Sequence, residues 1–390
     1  MLEVLWLLLP VAAASGWIAA RRSAGVGDGQ VEERDPAYLQ GLNYLLNEQP
    51  DKAIDVFVKL LEVDAETVET HLALGNLFRR RGEVDRAIRI HQNLYSRPAL
   101  PMEVRDLALL ELGQDYMRAG VFDRAEGLFQ ELADRGRYRE KALANLQEIY
   151  QQEKDWVKCL AVARQLEKVS GRPYGREIAH YHCELAEEAV VEGDLTEAHA
   201  LACKALNSDR RCVRATLLRG RLACMEEDLA KAITIYKKVP SQDLSLVSEI
   251  LPPLLACYQR LDDERGLQDY LRWLYQQSGD TRVLLAYADV VQRERGDRAA
   301  IEVVAAHLQR RADLMGLRRL IRLEARHSGD PEQRDTLQLL HGLVDRLIDR
   351  RPPYRCGRCG FTARHLHWQC PGCKRWDTLR PTPAEEMDCR

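Results

Sequence analysis

The feature that most constrains the fold is a repeat of 34 residues in the middle of the chain. A glycine, an aromatic residue, an alanine, a second aromatic position and a leucine recur at fixed offsets. Their first occurrence is Gly41, Tyr44, Ala53, Phe57 and Leu60. A shift of 34 gives Gly75, Phe78, Ala87, His91 and Leu94, and a further shift of 38, with four extra residues around 97–101, gives Gly113, Tyr116, Ala125, Phe129 and Leu132. Repeats of this length indicate helical hairpins that bury their apolar faces only by stacking.

Further copies keep the phase to about residue 310, which gives eight in all. The strongest of them contains Gly220, Ala232 and Tyr236. Small residues let two helices approach closely, and aromatic residues fill the space between neighbouring hairpins. His91 stands where other copies have an aromatic residue, and it is therefore interpreted as a core histidine. An irregular helical bundle is the alternative, but in-phase copies argue against it.

This pattern resembles the tetratricopeptide repeat family over residues 35–311. The resemblance implies an all-α superhelical solenoid. Arrays of this kind expose a concave surface that binds peptides or whole proteins, and they rarely catalyse reactions. The sequence also contains no catalytic triad, phosphate loop or paired-carboxylate site. We therefore expect a protein that is not an enzyme.

Four cysteines form a second pattern near the end of the sequence: Cys356, Cys359, Cys370 and Cys373. Each CxxC pair presents two thiolates from one turn, and together the pairs predict a tetrahedral site for one zinc or iron ion. Zinc is the default for such a site in a reducing compartment, and iron is the second possibility. A site with four protein ligands has no open position for a substrate. With four thiolates available, His365 and His367 are not expected to be ligands.

The sequence around these cysteines resembles a rubredoxin-type or zinc-ribbon fold over residues 352–380. The expected miniature core is made of Tyr354, Phe361, Trp368 and Trp376. Gly360 follows the second cysteine of the first pair, as in these families. Lys374 stands at the equivalent position of the second pair, where glycine is usual, and this departure counts against electron transfer. We expect the module to pack against the repeat array and to be unstable without its metal.

Residues 1–20 contain an uncharged run from Val4 to Ala20, followed by Arg21 and Arg22. A run of this length reaches the lower limit for a transmembrane helix. The positive charges after it predict an outward N-terminus, with the bulk of the chain in the cytoplasm. A cleaved signal peptide is the alternative, but signal peptides carry their positive charge before the apolar run. Residues 21–34 are glycine-rich and predict a flexible tether.

Residues 312–351 predict terminal helices, and residues 381–390 a polar tail. The helical stretch and its flanks are rich in arginine, including Arg318, Arg319 and Arg322, with acidic residues such as Asp345 between them. This mixture predicts a solvated, ion-paired helical face.

Because the formal net charge of the whole chain is −3, a globally basic nucleic-acid-binding protein is excluded and no nucleic-acid partner is expected. Six further cysteines lie in the helical sequence with no paired spacing and are expected to be reduced. They are Cys159, Cys183, Cys203, Cys212, Cys224 and Cys257.

The order of these parts resembles the lipopolysaccharide assembly protein B (LapB) family of Gram-negative bacteria. The resemblance implies a non-enzymatic, single-pass protein at the cytoplasmic face of the inner membrane. It also implies that the protein helps the membrane protease FtsH degrade LpxC, a deacetylase of lipid A synthesis, and meets other lipopolysaccharide assembly proteins. Repeat arrays and single-pass anchors both dimerise readily, so a homodimer is also compatible with the sequence. The alternatives are an iron protein that transfers electrons and a zinc-ribbon protein that binds RNA.

Overall fold

The computed structural model describes residues 68–382 and the single positions 39–41, 43, 44, 52 and 56. These residues divide into two compact units between Ala142 and Leu143. None of the helices in the described part of the chain is long and apolar enough to span a membrane. The predicted anchor and tether, residues 1–34, lie outside the described residues.

The first unit consists of helices that pack against their neighbours in sequence. They are α1 (Val68–Arg81), α2 (Val84–Tyr95), α3 (Met102–Ala119) and α4 (Phe122–Arg135). The following helix, α5 (Arg139–Glu153), contains the division between the units. α3 is followed by Gly120, which has a φ of 75° and donates its N–H to the carbonyl of Met117, while the next N–H, of Val121, donates to the carbonyl of Tyr116. Glycine adopts this left-handed conformation without the steric penalty of a Cβ, so the chain can turn directly into α4.

The recurring glycines bring consecutive helices into contact. A Cβ on Gly113 would lie 2.6 Å from the ring of Phe129, and one on Gly75 would lie 2.3 Å from the ring of His91. His91 is fully buried, as predicted, and its Nδ1 hydrogen-bonds to the carboxylate of Asp115. The same contact recurs in the second unit, where a Cβ on Gly220 would lie 2.2 Å from Tyr236. The repeated sequence positions are therefore the repeated packing positions.

The second unit is also mainly helical. Its helices are α6 (Trp156–Ser170), α7 (Gly175–Glu192), α8 (Leu195–Ser208), α9 (Val213–Met225), α10 (Leu229–Tyr236), α11 (Val239–Gln242), α12 (Leu251–Leu261), α13 (Glu264–Ser278), α14 (Thr281–Arg295), α15 (Asp297–Leu308), α16 (Leu314–His327) and α17 (Pro331–Asp349). A 3₁₀ helix, Leu244–Ile250, interrupts the pattern before α12. Leu246, Val247 and Ile250 of this segment are fully buried in the main apolar core of the unit. The irregular segment is therefore part of the packing.

A small antiparallel sheet follows the helices. β1 (Tyr354–Cys356) lies between β2 (Thr362–Ala363) and β3 (Leu379–Pro381). Cys356 is opposite Leu379 in the register. Buried Cys356, Cys370 and Leu379 form the centre of this metal module. The predicted fold class, an all-α array with a small four-cysteine module, is confirmed.

Two of the scattered cysteines are closer than their spacing suggests. The Sγ of Cys224 on α9 lies 3.3 Å from the Sγ of Cys257 on α12. Both remain free thiols in the structure. No sequence pattern predicts this pair, because the two residues belong to different repeats and have no shared motif.

Candidate metal centre

The structure brings the four predicted sulfur atoms together. The Sγ atoms of Cys356, Cys359, Cys370 and Cys373 all lie within 4.8 Å of one another. One pair comes from β1 and the turn after it, and the other from the turn that precedes Trp376. The ligand cluster that the described residues form here includes neither His365 nor His367. Four converging sulfurs fit a tetrahedral zinc or iron ion without a further ligand.

The two turns have the same backbone geometry. Gly360 donates its N–H to the carbonyl of Cys356 at 3.0 Å, and Lys374 donates to the carbonyl of Cys370 at 2.8 Å. Both residues have positive φ, 76° for Gly360 and 56° for Lys374. A side chain in this conformation costs about 1–2 kcal/mol. The second turn therefore has the same backbone conformation as the first, although a lysine stands where the first has glycine.

Hydrogen bonds prepare the Cys356 sulfur to be a thiolate. Its Sγ–H donates to the Thr378 hydroxyl oxygen, and its Sγ accepts from the Arg358 N–H, both at 3.4 Å. Burial opposes ionisation, but these hydrogen bonds outweigh it and lower the pKa of Cys356 to about 6. Burial instead raises the pKa of Cys370 to about 12. Because cysteine binds metals as thiolate, a cation that binds here must displace the Cys370 proton.

Exposure is unequal around the four sulfurs. Cys356 and Cys370 are buried, Cys373 is half-buried and Cys359 is exposed. The module therefore encloses one side of the site and leaves the Cys359 edge at the surface.

Aromatic residues attach the module to the helices of the second unit. The Trp376 ring stacks on His180 of α7, with ring centroids 4.9 Å apart, and meets Trp156 of α6 edge-on at 6.1 Å. The Arg214 guanidinium of α9 lies 6.0 Å from the centroid of the same Trp376 ring. Trp376 is thus buried against the array, and the expectation that the module packs on the array is met.

The predicted miniature core is wrong in part. Phe361 is 36% exposed. Trp368 packs against the main helical core of the unit, and Trp376 stacks on α7. The cysteines themselves and Leu379 form the centre of the module instead. A module of this size has too little volume to bury four large rings, so Trp368 and Trp376 pack against the helices and Phe361 stays exposed.

Polar contacts fix the orientation of the module. The Tyr354 hydroxyl donates to Glu249 at 2.9 Å, and Arg380 pairs with Asp243 at 3.1 Å. Both acceptors lie at the irregular segment between α11 and α12. The Gln369 amide donates to Gln151 of α5 at 2.7 Å. The module therefore contacts helices from several consecutive hairpins.

The pKa of His180 is strongly perturbed at this contact. Burial lowers its pKa from about 6.5 to about 3, with a further contribution from the positive charges of Arg214, Arg176 and Arg380. The imidazole is therefore neutral at physiological pH and stacks on Trp376 as an uncharged ring.

Sequence reasoning missed His180 and Arg214 as docking residues. They are 34 residues apart, so they occupy one position in consecutive repeats. The same position is exposed at Glu69 and Lys141 and partly buried at Leu107 in other copies. The residue type at this position varies, so the period alone does not say what covers it.

Relatives of the chain are similar over almost its whole length. It is 40% identical over 387 residues to lipopolysaccharide assembly protein B of Escherichia coli (strain K12), covering 98% of each chain. It is 36% identical over 396 residues to the protein of the same name from Haemophilus influenzae, covering 99% of this chain and 100% of the relative. The chain belongs to the lipopolysaccharide assembly protein B family.

The parts that characterise the family match separate family models. A model described as a rubredoxin metal binding domain matches residues 354–381, which include all four cysteines. Tetratricopeptide repeat models match residues 70–101 and 183–243. Among solved structures, a tetratricopeptide repeat protein from Cytophaga hutchinsonii is 15% identical with a TM-score of 0.36, covering 68% of this chain and 98% of that one. The repeat array and the four-cysteine metal-binding module predicted from the sequence are therefore both confirmed.

Proposed function

We propose that this member of the family is a non-enzymatic adaptor in lipopolysaccharide biosynthesis and assembly. The observation that carries the proposal is similarity along almost the whole chain to proteins named for lipopolysaccharide assembly. In this proposal residues 1–20 anchor the protein in the inner membrane with the bulk of the chain on the cytoplasmic side. Tetratricopeptide arrays bind proteins, which agrees with a role without catalysis.

The metal has a structural role in this proposal. Cys356, Cys359, Cys370 and Cys373 hold one zinc or iron ion, and four protein ligands leave no position for a substrate. The ion keeps Tyr354, Trp376 and the rest of the module in the conformation that contacts the helices. Because the module bridges several hairpins, its docking limits the bending of this part of the array and fixes the surface that a partner meets.

The partners proposed are FtsH and LpxC, with other lipopolysaccharide assembly proteins of the inner membrane. A membrane tether raises the effective concentration of a captured substrate around a membrane protease without any new contact. The adaptor then acts by bringing LpxC to FtsH.

The test is the half-life of LpxC in cells depleted of this protein, with and without active FtsH. We expect LpxC to persist on depletion, and loss of FtsH to remove any further effect. Complementation by the unaltered chain should restore turnover, whereas Cys356→Ser with Cys359→Ser should not, although the protein stays in the membrane. Cys203→Ser, a change at an exposed cysteine of α8, is the matched control. Unchanged LpxC turnover on depletion would refute the FtsH–LpxC proposal.

A second candidate function is electron transfer through an iron ion. The observation that favours it is the exposed Cys359 edge, which would give a redox partner close access to the metal. Elemental analysis of the purified protein and its visible spectrum during reduction separate the two functions. Bound zinc, or iron that does not cycle reversibly, excludes electron transfer and leaves the adaptor proposal intact.

A further inference from the structure

A basic cavity lies between α16 and α17, on residues that the adaptor role does not use. It is open to solvent, with Arg322, Arg326 and Arg334 all exposed, and its volume is about 520 Å³. Its lining residues come from both helices, and they are Arg322, Ala325, Arg326, Arg334, Gln338 and His341. Pockets that bind small molecules have volumes of about 300–1,000 Å³, so this cavity has room for more than an inorganic ion.

The arginines of this cavity differ from their neighbours on α16. Arg318 pairs with Asp345 at 3.4 Å, and Arg319 pairs with Asp289. These two fit the ion-paired face predicted from the sequence. Arg322, by contrast, has no carboxylate partner among residues 68–382, and the same is true of Arg326 and Arg334. The prediction of a compensated charged face is therefore wrong at the cavity.

Positive charge is concentrated at the cavity because of the spacing of the arginines along α16. Arg322 and Arg326 are four residues apart, which puts them on the same face of α16. Arg334 comes from α17, where one of its guanidinium nitrogens donates to the backbone carbonyl of Ser328 at 2.9 Å. Three guanidinium groups around one space repel each other, and an anion between them would replace that repulsion with attraction.

His341 adds a polar group to the same wall. Its Nδ1 lies 3.0 Å from Asp345, whereas its Nε2 is buried and has no hydrogen-bond partner among the described residues. With the Asp345 carboxylate accepting from Nδ1, a proton on Nε2 would make this atom a donor to an anion. This nitrogen therefore has capacity for one further hydrogen bond, and an anion in the cavity could supply the partner.

We propose that this cavity binds a phosphate monoester carried by a larger organic group. Guanidinium groups bind phosphate oxygens through paired hydrogen bonds, and a phosphate supplies more acceptor oxygens and more charge than a carboxylate. The volume that a phosphate leaves empty would take the organic group, with the Gln338 amide available to its hydroxyls. The phosphate could belong to a soluble sugar phosphate or to a lipid headgroup.

Isothermal titration calorimetry on the full-length chain in an uncharged detergent tests this site. The probes are glucose 1-phosphate for a soluble ester, and mixed micelles with phosphatidic acid or with phosphatidylcholine alone for a headgroup. Ionic strength is held constant with sodium chloride, because exposed charges are screened by salt. We expect Arg322→Ala with Arg326→Ala to weaken binding by about tenfold or more.

Arg346→Ala is the matched control, since Arg346 is an exposed arginine of α17 outside the cavity. It should bind as the unaltered chain does. Arg322→Lys with Arg326→Lys keeps the charge but loses the paired geometry, and we expect an intermediate affinity. Binding of glucose 1-phosphate that depends on Arg322 and Arg326 identifies a soluble ester. Binding of phosphatidic acid alone, with the same dependence, identifies a headgroup. If no probe binds, or if the double alanine variant and Arg346→Ala lose affinity equally, the proposal is wrong.

Discussion

The contacts between neighbouring repeats and the contact between module and array follow different designs. In the repeats, a glycine backbone meets a ring, as Gly113 meets Phe129 and Gly220 meets Tyr236. At the module, one large ring, Trp376, packs among Trp156, His180 and Arg214, an arrangement that recurs nowhere else in residues 68–382. The contact between repeats recurs, so it produces a periodic pattern in the sequence. The contact between module and array is made once, so it produces no such pattern.

The two kinds of contact require different conditions in order to form. The repeat contacts need only the local close approach of two helices, so their loss weakens neighbouring helices. The module contact needs a folded module, and a small four-cysteine module folds only with its metal. Changes at the metal site, Trp376 and His180 test the contact between module and array, and a change at Gly113 tests the contact between repeats.

The largest effect is expected from loss of the metal site. Cys356→Ser with Cys359→Ser should unfold residues 354–381 and leave the helices folded, because structural zinc sites contribute about 10–16 kcal/mol to small domains. Circular dichroism should report unchanged helix, while hydrogen exchange of the module becomes fast. Cys203→Ser should change neither measurement. A module that stays protected without metal would show that docking alone folds it.

Removal of the docking ring should release a folded module. For Trp376→Ala we expect a loss of about 3–5 kcal/mol in docking free energy, as for other buried aromatic side chains. The metal content should stay the same, while proteolysis between α17 and β1 becomes faster. The matched control is Trp273→Ala, at a tryptophan of α13 that is 45% exposed. Equal sensitivity of the two variants would contradict a specific role of Trp376.

Acid should weaken docking through His180. Its pKa is near 6.5 in the unfolded chain and about 3 in the folded one, so the unfolded chain takes up the proton first. Stability from this group is therefore complete above pH 6.5 and falls as the pH drops towards 3, by roughly 3 kcal/mol at pH 4.

His180→Phe keeps a ring against Trp376 and cannot take up a proton. Denaturant unfolding of both proteins from pH 7 to pH 4, followed by tryptophan fluorescence, gives the difference due to His180 alone. Acid loss of the metal affects both proteins and cancels in the comparison. Parallel loss of stability in the two would rule out His180 as the cause.

The smallest effect is expected inside the repeats. Gly113→Ala puts a Cβ 2.6 Å from the Phe129 ring, and overpacking of this kind costs about 1–3 kcal/mol. Gly127→Ala, on α4 of the same unit, meets nothing within 4 Å and should stabilise the helix by about 0.5–1 kcal/mol. Thermal unfolding of the two variants measures both. A stabilising Gly113→Ala would mean that the close approach of α3 and α4 is not needed.

The same contrast explains how much of the molecule could be read from its sequence. The sequence predicts packing roles for Gly75, His91 and Phe129 because helical hairpins repeat the same contact, and it predicts the four ligands because metal geometry fixes their spacing. It does not predict that Trp376 packs on the helices, because its partner His180 lies far away in the sequence. It does not predict that Arg322 lacks a carboxylate partner, because the pairing of helices decides which carboxylates come near.

The hydrogen bond between Gln151 and Gln369 joins residues that are 218 positions apart. During synthesis the module leaves the ribosome after the helices that receive it, so docking can only follow their folding. Contacts over such a separation form slowly, because a long stretch of chain must be closed first. Docking of the module therefore requires that the helices from α5 onward have been synthesised and folded. A chain truncated before residue 369 cannot form this contact.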